Sequence, residues 1–166
     1  MPMNRKLVKI FEFALSQEKT GLAFFQSSLK RMGIGAAVSA FKRLIEEEEK
    51  HIAFITDILC RLEEDSELVL PDTDEANSEV GDFFDERARS EFLEQCLEGS
   101  MTPDVTVFNT AWLIEKDLSE FYSKMASQTD GKAKEALLML SQWEKKHEEF
   151  LKESLESFDE KRYGCN

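Results

Sequence analysis

The sequence predicts an all-α protein, a four-helix bundle with a long connection between its second and third helices. Three observations carry this. Only three prolines and seven glycines interrupt 166 residues, and Glu, Lys, Leu and Ala, all good helix formers, are plentiful. Apolar residues recur at steps of three and four along four long segments, the signature of one buried helix face. These segments also fall into two matched halves.

The first helix is expected from Asn4 to Met32, about 4–32, with a stop at Gly33-Ile34-Gly35. Its seam reads Phe11, Ala14, Glu18, Gly21, Phe25. The second is expected over about 36–64, with the seam Phe41, Leu44, Glu48, His51, Ile55, Ile58, Leu62. The third is expected over about 102–128, opening at Thr102-Pro103-Asp104, where Thr102 suits a cap and Pro103 the first turn. Its seam is Phe108, Ala111, Glu115, Leu118, Tyr122, and a turn at Ser127-Gln128-Thr129-Asp130-Gly131 ends it. The fourth is expected over about 132–158, with the seam Leu137, Leu140, Glu144, His147, Leu151.

Residues 65–101 join the second helix to the third. They hold a turn, Pro71-Asp72-Thr73-Asp74, and an expected extra helix near 78–97. A tight hairpin needs no such length, whereas a crossover along a bundle does. The whole chain, 1–166, is read as one domain.

Each seam is apolar except near its middle, where it turns polar. The polar residues repeat. Glu18-Lys19 precedes Phe24-Phe25 as Glu115-Lys116 precedes Phe121-Tyr122, and Glu48-x-x-His51 is matched by Glu144-x-x-His147. The midpoints of Glu18/Glu48 and of Glu115/Glu144 fall in the two expected turns. Antiparallel folding there brings each pair to one height, roughly 20 Å from its turn at 1.5 Å per residue. The same repeat requires the second and third helices to run parallel.

Four carboxylates buried in one layer are costly without a counter-charge. Two divalent cations balance them. Carboxylates can bridge two ions, and each Glu-x-x-His supplies a second ligand one turn along the same face. The six candidate ligands are therefore Glu18, Glu48, His51, Glu115, Glu144 and His147. Iron, manganese and zinc all accept carboxylate and imidazole, so the residue types leave the metal open.

Composition narrows the partners. A formal charge of −13 repels phosphate backbones and anionic membranes, which argues against nucleic acid and membrane as partners. No apolar run is long enough to span a bilayer, and no signal-peptide core follows the charged N-terminus. Cys60, Cys96 and Cys165 form no Cys-x-x-Cys pair, which excludes a zinc ribbon or rubredoxin-type centre in this sequence. The reading is a soluble protein of a reducing compartment, the cytoplasm.

With these motifs in view, the chain resembles the ferritin-like superfamily and, within it, the rubrerythrin group. Glu46-Glu47-Glu48-Glu49-Lys50-His51 and Glu115-Lys116 with Phe121-Tyr122 carry the likeness, which covers the four helices. The resemblance implies two iron ions, with manganese or zinc as alternatives. It implies that Glu48 and Glu144 bridge, that Glu18 and Glu115 each serve one ion, and that His51 and His147 each ligate one. It implies reduction of hydrogen peroxide, or oxidation of ferrous iron by oxygen, in oxidative-stress defence. A separate protein would then donate electrons, because rubrerythrins carry a rubredoxin domain with two Cys-x-x-Cys pairs and this sequence has none. Rubrerythrins also usually carry a second glutamate three residues after the third-helix ligand, where this chain has Leu118. The alternative is a non-catalytic metal-binding or iron-handling protein of the same fold. A homodimer is compatible with either.

The remaining residues are expected to do less. Within the 46–49 run only Glu48 lies on the seam, so Glu46, Glu47 and Glu49 are expected in solvent. Trp112, Trp143 and the thirteen phenylalanines are expected in the core, and Cys60 and Cys96 as inert apolar fillers. Tyr122 is a candidate catalytic residue: it either hydrogen-bonds a ligand carboxylate or fills space, and its counterpart Phe25 can only fill space.

Overall fold

The computed structural model describes residues 2–31, 36–71 and 105–163. Four helices make up almost all of these: α1 (Pro2–Arg31), α2 (Ala36–Glu63), α3 (Val105–Ser127) and α4 (Gly131–Tyr163), with no strand among the described residues. The expected turn at 33–35, the extra helix at 78–97 and the Thr102-Pro103 start lie outside the described residues.

The observed ends match the expected ones within a residue or two at α1 and α2 and at the end of α3, whose described start is Val105; α4 runs on to Tyr163. No proline or glycine stands between Phe158 and Gly164, and Glu, Lys and Arg hold a helix well without an apolar stripe. Apolar periodicity therefore ended this helix too early.

α2 closes on a Schellman turn. Ser66 N–H bonds Arg61 C=O at 2.8 Å and Asp65 N–H bonds Leu62 C=O at 3.4 Å, with Asp65 left-handed at φ 57°. Asn4 Nδ2 then donates to Leu62 C=O at 2.9 Å, tying the start of α1 to the end of α2. Between α3 and α4 the left-handed residue is Gly131, at φ 67°, a conformation that glycine adopts without a Cβ penalty.

α1 packs along α2, and α3 along α4. α1 also lies close to α3, and a Cβ on Gly21 would meet Ile114 Cγ2 at 3.3 Å. Phe13 faces Phe121 at 5.0 Å between ring centroids. Since Phe13 pairs with Phe121 and Gly21 with Ile114, α1 and α3 are antiparallel. α1 and α2 are joined across residues 32–35 and are antiparallel too, so α2 and α3 run in the same direction. The chain therefore leaves α2 at one end of the bundle, where Leu68 tucks into the core, and enters α3 at the other. The path of 72–104 between those ends lies outside the described residues.

The core divides in two. One apolar cluster gathers Phe11, Ile55, Ile58, Leu118, Tyr122, Leu137 and Leu140. The second, towards the opposite end, gathers Phe25, Phe41, Leu44, Phe108, Phe150 and Leu151. Edge-on ring contacts link Phe25, Phe41 and Phe108. In sequence the polar seam residues fall between the members of these two clusters on every helix.

Several expected core residues lie elsewhere. Phe13 is 51% exposed, Trp112 is half-buried and Cys60 is exposed. Each sits off the seam, where only a packed neighbour could have covered it.

Candidate metal centre

Each helix carries one or two polar residues into the gap between the apolar clusters. On α1 this is Glu18, one turn from Ala14 and Gly21 on the same face. On α3 it is Glu115, between Ala111 and Leu118. On α2 and α4 a glutamate and a histidine three residues apart share a face, as helix geometry requires. All six expected site residues are buried: Glu18, Glu48, Glu115, Glu144 and His147 have no exposed surface, and His51 has 2%.

They converge into two groups. Glu18, Glu48, His51 and Glu144 bring one ligand atom each to within 4.8 Å of the others, and so do Glu48, Glu115, Glu144 and His147. Glu48 and Glu144 belong to both. His51 Nδ1 lies 2.6 Å from Glu144 Oε1, 3.5 Å from Glu48 Oε2 and 3.9 Å from Glu18 Oε1. His147 Nδ1 lies 3.4 Å from Glu48 Oε1, 3.5 Å from Glu115 Oε2 and 3.7 Å from Glu144 Oε2. The two imidazoles stack, with centroids 5.6 Å apart and planes 14° apart.

The donor set fits divalent cations. Both oxygens of Glu48 and of Glu115, with Oε2 of Glu18 and of Glu144, lack a hydrogen-bond partner among the described residues. Buried carboxylate oxygens left this way are expensive, and a pair of cations would satisfy them.

Without metal, protons must do that work. Burial, then the Glu144 and Glu48 carboxylates, push Glu18 and Glu115 well above the usual carboxylate range. Burial acts on Glu48 too, but the protonated Glu18 beside it and the imidazoles outweigh it and hold Glu48 well below that range. Glu144 is likewise held down to about 2, burial and Glu48 being outweighed chiefly by His51. Burial disfavours both imidazolium ions, yet Glu144 and Glu48 raise His51 and His147 to about 9. In the metal-free layer the shifts favour carboxylates at Glu48 and Glu144 facing two imidazolium ions, and protons on Glu18 and Glu115. That is the same neutrality that two divalent ions would bring to four carboxylates.

Tyr122 does more than fill space. Its hydroxyl donates to Glu18 Oε1 at 2.6 Å. Burial and the Glu18 carboxylate keep the phenol well above its ordinary value, so it remains a donor. Phe25, its counterpart, is buried in the second apolar cluster.

A family model of rubrerythrin matches residues 9–155, a span that contains all six residues of the polar layer. The chain belongs to the rubrerythrin family. No curated protein and no solved structure matches it. As a rubrerythrin-family chain it is an all-α ferritin-like bundle, and its buried layer of carboxylates and imidazoles is compatible with a di-iron site. No described helix is long and apolar enough to cross a membrane.

Two expectations around this rubrerythrin-type layer need correction. Glu47, expected in solvent, is 2% exposed, and it pairs with Arg43 Nη2 at 3.1 Å and Lys50 Nζ at 3.5 Å. Glu46 and Glu49 are exposed as expected. Trp112, expected in the core, instead donates its indole N–H to Glu148 Oε1 at 3.2 Å, and Lys145 Nζ reaches Glu148 Oε2 at 3.0 Å.

Three contacts had not been anticipated. Trp143 stacks on His51 at 5.2 Å and 15°. Ser119 and Ser141 each donate to the other's carbonyl, at 3.1 and 3.0 Å, clasping α3 to α4. Glu148 is buried beside His147. The repeat held a signal for one of these: Glu47 and Trp143 each precede the Glu of a Glu-x-x-His, and both are buried.

Proposed function

We propose that this chain is a di-iron carboxylate protein that reduces peroxide, or oxidises ferrous iron with oxygen, in defence of the cytoplasm against oxidative stress. The observation that carries the reading is the pair of overlapping four-residue groups sharing Glu48 and Glu144. In this reading 1–166 acts as one domain. Glu48 and Glu144 would serve both ions, Glu18 and His51 would complete one position, and Glu115 and His147 would complete the other.

When bound, a pair of iron ions supplies the electrons that reduce an oxidant. The protein's own residues do the rest. The two apolar clusters keep bulk water from the layer. Glu48 and Glu144 hold the two positions together, and the imidazole Nδ1 atoms face the carboxylates. Tyr122 fixes Glu18 and holds a proton at Oη beside the layer. In this reading electrons come from a donor outside these 166 residues, which contain no Cys-x-x-Cys pair.

One observation favours a second reading, a metal-binding or iron-handling protein without peroxide turnover. Leu118 stands where rubrerythrins usually carry a further glutamate, and it is 5% exposed within an apolar cluster. Anaerobic ferrous protein mixed with hydrogen peroxide in a stopped-flow instrument separates the two. Oxidation of the bound iron much faster than that of free ferrous ion supports the peroxidase reading. Rapid oxidation by oxygen alone supports the ferrous oxidase reading, and no acceleration by either oxidant leaves only the iron-handling one.

A further inference from the structure

The two halves of the bundle repeat the ligands but not what surrounds them. Glu18 corresponds to Glu115 and Glu48-x-x-His51 to Glu144-x-x-His147; at the same offsets Phe25 corresponds to Tyr122 and Glu47 to Trp143. Both substitutions within the repeat favour one side. Tyr122 Oη donates to Glu18 Oε1 at 2.6 Å. The Trp143 indole lies parallel over His51, 5.2 Å away. Glu18 and His51 sit in the same four-residue group.

In the other group the terminal carboxylate is Glu115, whose neighbours are other members of the layer, Glu144, Glu48 and, at 3.5 Å, His147 Nδ1; no group from outside the layer donates to it among the described residues. The position matching Tyr122 is Phe25, which has no hydroxyl and packs edge-on against Phe41 at 5.8 Å. The position matching Trp143 is Glu47, whose carboxylate is engaged by Arg43 and Lys50.

We propose that the two metal positions are unequal by construction: the Glu18–His51 position takes a divalent ion first and more tightly, and the Glu115–His147 position takes the second and releases it more readily. This rests on the two-metal reading above. A carboxylate with one oxygen held by a group that is not itself a ligand keeps its orientation as the metal enters, whereas Glu115 is oriented only by groups that must themselves turn to the metal. Outer partners of this kind typically change metal affinity by roughly 10–100-fold. Tyr122 is thus a positioning residue for Glu18. An exchangeable second position is also what a protein requires if ferrous iron is its substrate and must leave after oxidation.

The test is calorimetric titration of the metal-free full-length chain with Co²⁺. Two steps of one equivalent each are expected, separated by about tenfold or more. Glu115→Gln should remove the weaker step and spare the tighter, and Glu18→Gln should do the reverse. Tyr122→Phe should weaken the tighter step towards the weaker one and leave the weaker in place, a selective change that a general packing defect would not produce. Two equal steps in the native chain would overturn the proposal, as would a tight step that survives Glu18→Gln or is untouched by Tyr122→Phe. Should Tyr122→Phe fail to fold, the native chain and the two Gln variants still decide the order. Binding of fewer than two Co²⁺ per chain is a different failure, because it overturns the two-metal reading itself.

Discussion

The Tyr122 hydroxyl donates to Glu18 Oε1 at 2.6 Å, joining α3 to α1 through the middle of the bundle. Both residues have no exposed surface, so water cannot replace the bond. Tyr122→Phe should therefore destabilise the metal-free protein by about 1–3 kcal/mol, the range for a buried acceptor left unpaired. Urea unfolding checks this. A change below roughly 0.3 kcal/mol would mean that Glu18 finds another donor.

Ligand substitutions should sort by role. Glu48→Ala and Glu144→Ala each remove an oxygen donor common to both groups, so iron per chain after anaerobic reconstitution should fall towards zero. Glu18→Ala and Glu115→Ala should each leave about one ion bound. Glu46→Ala and Glu49→Ala are the controls, being exposed. Glu47→Ala is not a control, because Glu47 is buried and pairs with both Arg43 and Lys50. It should lower the melting temperature while leaving the iron content intact. Equal metal loss from Glu49→Ala and Glu48→Ala would mean that the wrong face of α2 had been chosen.

Metal binding should release protons. The metal-free layer holds them on His51 and His147, raised to about 9, and on Glu18 and Glu115, raised well above the carboxylate range. Divalent ions displace these protons, so apparent affinity should rise with pH and the melting temperature should rise on loading. Calorimetry in two buffers of different ionisation enthalpy counts the protons. A count near zero at pH 7 would contradict this arrangement.

The metal-free protein should also respond to pH in a defined direction. His51 and His147 have folded values near 9 against 6.5 unfolded, so their stabilisation is complete below pH 6.5 and disappears as pH climbs through 9. Glu18 and Glu115, being raised, lose stability as pH rises above 4.5. Glu144 acts oppositely, contributing above 4.5 and losing that contribution as pH falls towards 2. Melting temperature should therefore decline from pH 6.5 to 9 without metal and stay flatter with it. A rise over that interval in the metal-free protein would reverse the assignment.

Gly131→Ala tests the turn before α4. The glycine has φ 67°, and no atom stands within 4 Å of an added Cβ, so the cost is conformational alone. A loss of about 1 kcal/mol in denaturant unfolding is expected, without change in metal content.

The sequence by itself determined the helices, the seams and the six residues of the polar layer. Steps of three and four specify an angle around a helix axis. Glu48 and His51 therefore had to share the inward face with Leu44 and Ile55, whatever packed against them. The repeat added height, since equal spacing across two turns puts Glu18 beside Glu48 and Glu115 beside Glu144. What periodicity cannot specify is the neighbour that covers a flank. Glu47 and Glu49 both adjoin Glu48 in sequence, yet Glu47 is covered and paired with Arg43 while Glu49 faces solvent. Phe13 and Cys60, apolar but off the seam, stay exposed; Phe121 of α3 stands 5.0 Å from the Phe13 ring yet leaves it half uncovered. Nor could sequence choose between the two readings of Tyr122. A hydroxyl becomes a donor only when another helix places an acceptor in reach, and α1 and α3 had to pack antiparallel, with Gly21 against Ile114, before Glu18 could stand 2.6 Å from it.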